Sequence, residues 1–299
     1  MRYCSNVTNY ETTPWRESAS SLPIPQAADA CLEISMQRLI VSDLDGTLLN
    51  QHHQLSARNR DTIRRLHQQG HHFAIATGRH HCDVQHIAAQ IGFPMYLITA
   101  NGARVHNPQG EIIHRADLAP SLFHELLAFS ASFPVLRNAY CEDEWLVEQE
   151  NPLALAYTEE SGFVYRLCAL ASHPGNHISK LFFVAEPEQL LSLEQALKQQ
   201  FGNLISVTAS MSNCLEVMSP EVSKGAALQF LLEQQQLGAQ DCIAFGDGMN
   251  DVELLQVVGT GVVMANASER LKQRLPHLPQ TTSNHHDGVA NYLEATFNL

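Results

Sequence analysis

Two aspartates at the end of a short apolar run are the residues of this sequence whose types and spacing best suit chemistry. Asp43 and Asp45 follow the run that begins at Leu39, and a glycine comes directly after them. In an extended chain, residues two apart face the same side. Open parallel sheets bind their ligands just beyond the carboxyl ends of such strands. The spacing therefore predicts a reactive carboxylate pair at the end of a buried strand.

Two carboxylates held this close repel each other, so the pair implies either a shared proton or a bound cation. No histidine or cysteine adjoins them, so the candidate ligands are hard oxygen atoms, which favour Mg²⁺. The same Asp-x-Asp pattern is also common in surface turns. Its functional interpretation therefore depends on other segments of the chain.

A second acidic segment, residues 246–251, places Asp247, Asn250 and Asp251 in one turn between a predicted strand and a predicted helix. Such an accumulation of negative charge is unfavourable without a divalent cation. The two glycines of this segment also suggest a dinucleotide-binding loop. However, the third glycine of that fingerprint is missing and acidic residues replace it. The segment therefore indicates a further part of the metal site.

Three other residues are suited to binding phosphate. Thr77 and the N–H group of Gly78, at the end of the second predicted strand, offer donors to phosphate oxygens. Lys224 lies at the start of a predicted helix, where anions are already favoured, and that helix is expected to end at Gly238. Each residue alone has an ordinary alternative, a threonine in a turn or an exposed lysine. Together with the aspartates they indicate a phosphate group.

The order of the predicted elements places these residues on one scaffold. Strands and helices alternate over 36–118 and again over 219–299, which predicts an α/β fold with a doubly wound, Rossmann-like parallel sheet. Residues 119–218 contain short strands and two helices in a different rhythm, which predicts an inserted α+β domain. Residues 1–35 have no periodicity and are predicted to be a disordered leader, with a transit or docking segment as the alternative.

The composition excludes several classes of partner. The net charge of −13 argues against a nucleic-acid or an anionic-membrane surface. No apolar run approaches the roughly 18 residues of a membrane span. The seven cysteines are scattered and include no Cys-x-x-Cys motif, which is typical of a reducing compartment and predicts a cytoplasmic protein.

The histidines suggest metal binding at first sight. Four pairs of adjacent histidines occur, at positions 52–53, 71–72, 80–81 and 285–286. None of them has the spacing of a zinc motif on a secure helix, so we expect solvated polar positions. His80 is expected near the mouth of the pocket. Cys82 is not expected to be a nucleophile, because no partner histidine and aspartate are in evidence.

Taken together, residues 43–47, Thr77-Gly78-Arg79, Lys224 and residues 246–251 resemble the four motifs of the haloacid dehalogenase-like superfamily. The long insertion between the second and third motifs resembles that of the Cof-type phosphatases of subfamily IIB, whose inserted cap is of type C2B. The resemblance extends from about Met36 to the C-terminus. It implies an enzyme that acts on sugar phosphates, pyridoxal phosphate or similar phosphomonoesters.

The resemblance also implies a role for each motif residue. Asp43 would attack phosphorus to form an aspartyl-phosphate, and Asp45 would act as the general acid and base. Mg²⁺ would be held by Asp43, the main-chain carbonyl of Asp45, Asp247 and Asp251. The phosphoryl oxygens would be bound by Thr77, Gly78, Lys224, Asn250 and the N–H group of Leu44.

Substrate choice would depend on the cap and on the end of the third strand. The candidate specificity residues are Tyr140, Trp145, Tyr157, Glu216, Asn101 and Arg104. Three other functions fit the same motifs: a phosphosugar mutase, a phosphonate hydrolase, and a protein that binds a phosphorylated metabolite without turnover. The intact Asp45 argues against the last of these, because binding alone does not require it. The sequence does not indicate an oligomeric state.

Overall fold

The computed structural model describes residues 38–151, 159 and 161–299. The predicted leader and Tyr157 lie outside these residues. The described strands are β1 (Leu39–Ser42), β2 (His72–Ala76), β3 (Tyr96–Thr99), β4 (Arg104–His106), β5 (Ile112–Arg115), β6 (Leu136–Cys141), β7 (Glu144–Val147), β8 (Tyr165–Leu167), β9 (Ile178–Val184), β10 (Ser206–Met211), β11 (Cys214–Met218), β12 (Cys242–Gly246), β13 (Thr260–Met264) and β14 (Gln280–Thr281). The described α-helices are α1 (Ala57–Gln68), α2 (His81–Ile91), α3 (Pro120–Ser130), α4 (Pro187–Phe201), α5 (Lys224–Gln235), α6 (Val252–Val257), α7 (Glu269–Arg274) and α8 (Gly288–Phe297). Across the described residues, none of the helices is both long enough and apolar enough to cross a membrane.

The first sheet has eight strands in the order β14-β13-β12-β1-β2-β3-β4-β5. The six strands from β14 to β3 are parallel, whereas β4 and β5 are added to the β3 edge in antiparallel orientation. The predicted α/β class with a doubly wound, mainly parallel sheet is confirmed. β4, β5 and β14 were not predicted, because they are short and two of them carry few apolar residues.

The core lies on both faces of this sheet. Leu39 and Val41 of β1 pack in one apolar cluster with Leu228 of α5, while Ile40 packs in another with Ile63 of α1. Successive side chains of a strand point to opposite faces. A strand that is covered by helices on both faces therefore needs a continuous apolar run. This is why the run that ends at the aspartates has no polar alternation.

The second sheet has six strands in the order β10-β11-β9-β6-β7-β8. Its strands pair in antiparallel orientation except β7 and β8, which are parallel. Helices α3 and α4 pack on it through a third apolar cluster. These elements fall within residues 119–218, the predicted insertion. The domain boundaries themselves stay a prediction.

Two serine caps set the starts of helices near the site. The side chain of Ser56 accepts a hydrogen bond from the N–H group of Asn59 and begins α1. Ser223 caps α5 in the same way, which makes Lys224 the first residue of that helix. The predicted end of α5 at Gly238 is wrong. The helix ends at Gln235, because Gln236 takes the left-handed conformation (φ 54°) and its N–H group bonds back to the last turn.

Candidate active site

The carboxyl ends of β1, β2 and β12 lie side by side on one edge of the first sheet, because β1 pairs with both other strands. Asp43, Thr77 and Asp247 each come directly after one of these strands. The structure therefore brings together segments that are about 35 and 170 residues apart in the sequence.

Three acidic side chains form a compact cluster on this edge. Carboxylate oxygens of Asp43, Asp247 and Asp251 lie within 4.8 Å of one another. Nζ of the fully buried Lys224 donates to Oδ1 of Asp43 at 2.6 Å and to Oδ1 of Asp251 at 2.7 Å. The other oxygen of Asp251 accepts main-chain N–H bonds from Asp247 and Gly248. One lysine therefore faces two of the three carboxylates.

The charges of this cluster do not balance within the protein. Burial raises the pKa of Asp43 well above its usual value; Lys224 opposes this shift, and Asp251 and Asp247 add to it. Burial, followed by the charge of Asp251, raises the pKa of Asp247 to about 7. Burial lowers the pKa of Lys224, but the negative charges of Asp251 and Asp43 have the larger effect and raise the lysine pKa above its usual value. A cluster of hard oxygen atoms with excess negative charge is suited to a divalent cation.

Gly46 allows the first loop to approach this cluster closely. Its φ is +79°, in the region that favours glycine. A Cβ atom at this position would lie 2.3 Å from Oδ2 of Asp247. Thr47, the next residue, donates from Oγ1 to Oδ1 of Asp247 at 2.9 Å. The glycine and threonine therefore join the loop after β1 to the acidic turn after β12.

Asp45 faces different partners. Arg79 donates to both of its carboxylate oxygens, at 2.7 and 2.6 Å, and Nδ1 of His53 lies 2.9 Å from Oδ1. Arg79 also pairs with Asp83 at 3.1 Å. Partial burial opposes ionisation, but the bonds from Arg79 and His53 outweigh it and hold the pKa of Asp45 well below its usual range. Sequence reasoning missed both partners, although Arg79 directly follows the Thr77-Gly78 motif.

Three of the five predicted phosphate-binding residues line the same space, whereas Lys224 and Leu44 are buried behind it. Thr77, Gly78 and Asn250 line one cavity with Asp43 and Asp45, and Thr77 Oγ1 accepts the N–H of Arg79 at 3.1 Å. The side chain of Leu44 is buried in the core, so only the main-chain N–H group of this residue is a candidate for binding phosphate.

This cavity has a volume of about 970 Å³ and lies between the edge of the first sheet and the second sheet. From the second sheet it is lined by Tyr140, Trp145, Lys180, Phe182 and Glu216. Three of the predicted specificity residues, Tyr140, Trp145 and Glu216, are therefore in a position to contact a bound molecule. The aromatic wall gives this side of the cavity an apolar character.

A buried polar network crosses the cavity floor. Lys180 Nζ donates to the main-chain oxygen of Gly78 at 2.7 Å and to Oε1 of Glu216 at 2.5 Å. Nδ2 of Asn101 donates to the other oxygen of Glu216, and Nδ2 of Asn250 donates to Oδ1 of Asn101 at 3.0 Å. Asn101 therefore connects two candidate site residues rather than lining the cavity itself. Lys180 was not predicted, because nothing in its strand marks it.

The placement of Arg104 does not support the predicted contact with substrate. Its guanidinium group bonds to Asp117 and to the main-chain oxygen of Ala103 at 2.8 Å, and the residue is 5% exposed. It lies in β4 and does not line the cavity described above. Arg104 instead fixes the chain where the first sheet leads into the insertion.

The expectation that the paired histidines are solvated is wrong for two of them. His71 and His80 are buried, at 3% and 4% exposure. Nε2 of His80 lies 2.7 Å from the main-chain oxygen of Glu142, in the second sheet's turn between β6 and β7. For His80 the prediction failed because its ring is stacked on that of Phe163, a contact that the sequence does not reveal.

Comparison with known proteins identifies the class. The family model for haloacid dehalogenase-like hydrolases matches residues 40–293, and the chain belongs to this family. A Haemophilus influenzae protein named "Putative phosphatase" is 41% identical over 88% of this chain and 97% of its own length. An HMP-PP phosphatase of Cronobacter sakazakii is 38% identical over 86% of this chain and 95% of its own length. The chain is accordingly a phosphatase, a hydrolase of phosphoric monoesters.

Solved structures show the same fold. A haloacid dehalogenase-like hydrolase from Bacteroides thetaiotaomicron has a TM-score of 0.76 at 27% identity and covers 87% of this chain and all of its own. A haloacid dehalogenase-like hydrolase from B. subtilis has a TM-score of 0.78 at 25% identity and covers 86% of this chain and 99% of its own. The family resemblance predicted from the four motifs is thus confirmed.

Proposed function

We propose that this phosphatase is Mg²⁺-dependent and hydrolyses small phosphomonoesters through an aspartyl-phosphate on Asp43. The observation that carries the proposal is the convergence of three carboxylates and a buried lysine on the edge where Thr77 and Gly78 also lie. Phosphoryl transfer depends mainly on positioning and on cationic stabilisation of the equatorial oxygens. This edge supplies groups for both.

The residues that would hold Mg²⁺ are Asp43, Asp247, Asp251 and the main-chain carbonyl of Asp45. Oxygen-only ligands with excess negative charge fit this ion. When bound, Mg²⁺ would stabilise charge on the transferring phosphoryl group. Lys224 would favour the ionised form of Asp43 against the effect of burial, because its ammonium group bonds one oxygen of that carboxylate; the other oxygen would remain for attack.

Asp45 would act on the leaving group and then on water. With Arg79 bonded to both its oxygens, Asp45 is ionised, which is the form that accepts a proton from water. Protonation of the leaving alcohol requires the opposite form. The pair with Arg79 must therefore loosen when substrate binds, and Asp83 offers Arg79 an alternative partner.

Residues 119–218 would form a cap that excludes water during the first step. Their aromatic side chains and the size of the cavity would then decide the substrate. We propose a small phosphorylated metabolite. Relatives named HMP-PP phosphatase make HMP-PP one compound to test, beside sugar phosphates, pyridoxal 5′-phosphate and flavin mononucleotide. The cytoplasmic location remains a proposal that rests on the cysteine content.

The test is release of inorganic phosphate from this panel by the wild-type protein, with Mg²⁺ and with EDTA. We expect activity only with the metal, and its loss by more than about 10³-fold in Asp43→Asn, because a covalent route loses its nucleophile. Asp61→Asn is the matched control, since this aspartate is exposed on α1. Full activity of Asp43→Asn would remove this residue as the nucleophile.

A mutase built on the same site would return the phosphoryl group to the substrate. Hydrolysis in ¹⁸O-labelled water distinguishes the two reactions, because a phosphatase incorporates the label into inorganic phosphate. Phosphosugar isomerisation without labelled phosphate would favour the mutase and would contradict the proposed hydrolysis.

A further inference from the structure

A second group of metal-ligating side chains lies at the start of α2, outside the acidic cluster. Ligand atoms of His80, His81 and Cys82 lie within 4.8 Å of one another. We propose that these three residues form a cation site for a borderline-soft divalent ion of the Zn²⁺ type. Neither the phosphatase class nor the proposed use of Mg²⁺ requires such a site.

His80 is already fixed in the form of a metal ligand. Its Nε2 must donate to the main-chain oxygen of Glu142, because a carbonyl can only accept. This leaves Nδ1 with a lone pair, which now accepts a long bond of 3.3 Å from the N–H of Cys82. Histidines that bind metals commonly donate their other ring N–H to a carbonyl group. A cation would replace the long bond from Cys82.

The distances around His81 match those between two ligands of one zinc ion. Nε2 of His81 lies 3.5 Å from Sγ of Cys82 and 3.4 Å from Oδ1 of Asp143. In a tetrahedral site with Zn–S of about 2.3 Å and Zn–N of about 2.0–2.1 Å, the nitrogen and the sulfur are about 3.5 Å apart. The corresponding separation of a nitrogen and a carboxylate oxygen is about 3.4 Å. Asp143 therefore faces His81 from outside the group of three ligand atoms.

His106 lies next to the same group. It is 2% exposed, and its ring stacks on that of His81 with centroids 4.5 Å apart. The main chain of Leu97 forms a hydrogen bond with the His106 ring. His106 therefore packs against one side of the proposed site and helps to hold the His81 ring in place.

The donor set also selects the kind of ion. Two imidazoles and a thiol suit Zn²⁺, whereas Mg²⁺ prefers oxygen atoms alone. Cys82 lies in the first turn of α2 and its side chain is half-buried. Asp143 is exposed and leaves an entry path. An ion at this site would connect the start of α2 to the β6–β7 turn.

Cobalt is a suitable probe, because Co²⁺ occupies zinc sites and absorbs in the near ultraviolet when a thiolate binds it. The full-length protein is titrated with Co²⁺ in excess Mg²⁺, which occupies the acidic cluster. We expect thiolate-to-cobalt absorption that Zn²⁺ abolishes by displacement. Cys82→Ser and His81→Gln should remove it, and Asp143→Asn should weaken binding about 10-fold or more.

Two matched variants separate this site from other metal ligands. Cys168→Ser removes another half-buried thiol, and Asp247→Asn weakens the acidic cluster. Both should keep the absorption. Its absence in the wild-type protein, or its persistence in Cys82→Ser, would overturn the proposal. Circular dichroism of each variant shows whether it is folded, and His81→Gln serves as the second test if Cys82→Ser is not.

Discussion

The buried ion pair of Lys180 and Glu216 offers the sharpest test of how the second sheet is fixed to the first sheet, at the edge where the candidate active site lies. Both side chains are nearly inaccessible, at 3% and 4% exposure, and Lys180 also bonds to the main chain of Gly78. In Lys180→Met, the carboxylate of Glu216 keeps only Asn101 among these partners. Methionine retains most of the apolar contact with Tyr140 and Phe182, so the variant removes mainly the charge.

The expected loss of stability follows from the charge left behind. Removing one partner of a buried ion pair costs about 3–5 kcal/mol. We therefore expect Lys180→Met to lower the free energy of unfolding by about 3–5 kcal/mol, because the carboxylate of Glu216 stays buried without its cation.

Urea unfolding of four proteins measures this effect: the wild type, Lys180→Met, Glu216→Gln and the double variant. The double variant should lose less than the sum of the two single losses, with a coupling of at least about 2 kcal/mol. The matched control is Arg166→Met, because Arg166 pairs with Glu144 at 2.8 Å in the same sheet but is half exposed. It should cost less than about 1 kcal/mol. Additive losses, or a loss in Lys180→Met no larger than that in Arg166→Met, would refute the reasoning.

Three further predictions concern the site and its surroundings. Asp45→Asn should still be phosphorylated slowly but release phosphate poorly, so intact-mass spectrometry after mixing with substrate should show accumulated phospho-enzyme; a variant that turns over normally would exclude Asp45 as the base. Asp247→Asn should raise the Mg²⁺ concentration for half-maximal activity at least about 10-fold, whereas Asp241→Asn, at the opposite end of β12 and outside the acidic cluster, should not change it. Burial lowers the pKa of the His80 ring to about 3, whereas the ordinary pKa of a histidine in an unfolded chain is about 6.5. Between these two pH values the unfolded chain binds more protons than the folded protein, so the free energy of unfolding decreases as the pH is lowered. At pH 5 the loss should be about 2 kcal/mol relative to neutral pH, and His80→Gln should lose this part of the pH dependence; an unchanged slope would show that His80 is not buried as a neutral ring.

The meeting of the four motifs could be predicted because it depends on connectivity. Asp43, Thr77 and Asp247 each follow a short apolar run, and the carboxyl ends of parallel strands share one edge. The continuous apolar character of the run at β1 also predicted a buried strand. These conclusions need only local patterns and a general rule of sheet topology.

The short outer strands β4 and β5 could not be predicted from local patterns in this way. β4 has three residues and β5 is mostly exposed, so neither has the apolar alternation by which strands are predicted. Their positions result from pairing with β3. The placement of Arg104 away from the cavity has the same origin, because a residue at the end of a third parallel strand was expected where the chain instead turns back into β4.

The amino-acid sequence by itself determined the class of the enzyme, the main sheet and the identity of the motif residues, because each is encoded in short-range spacing. Only the tertiary structure showed that Arg79 holds Asp45, that Lys180 reaches Gly78, and that His80 is buried beside Glu142. These contacts join residues 34 to 102 positions apart. They depend on side-chain packing between elements, and no local pattern specifies which side chains will meet there.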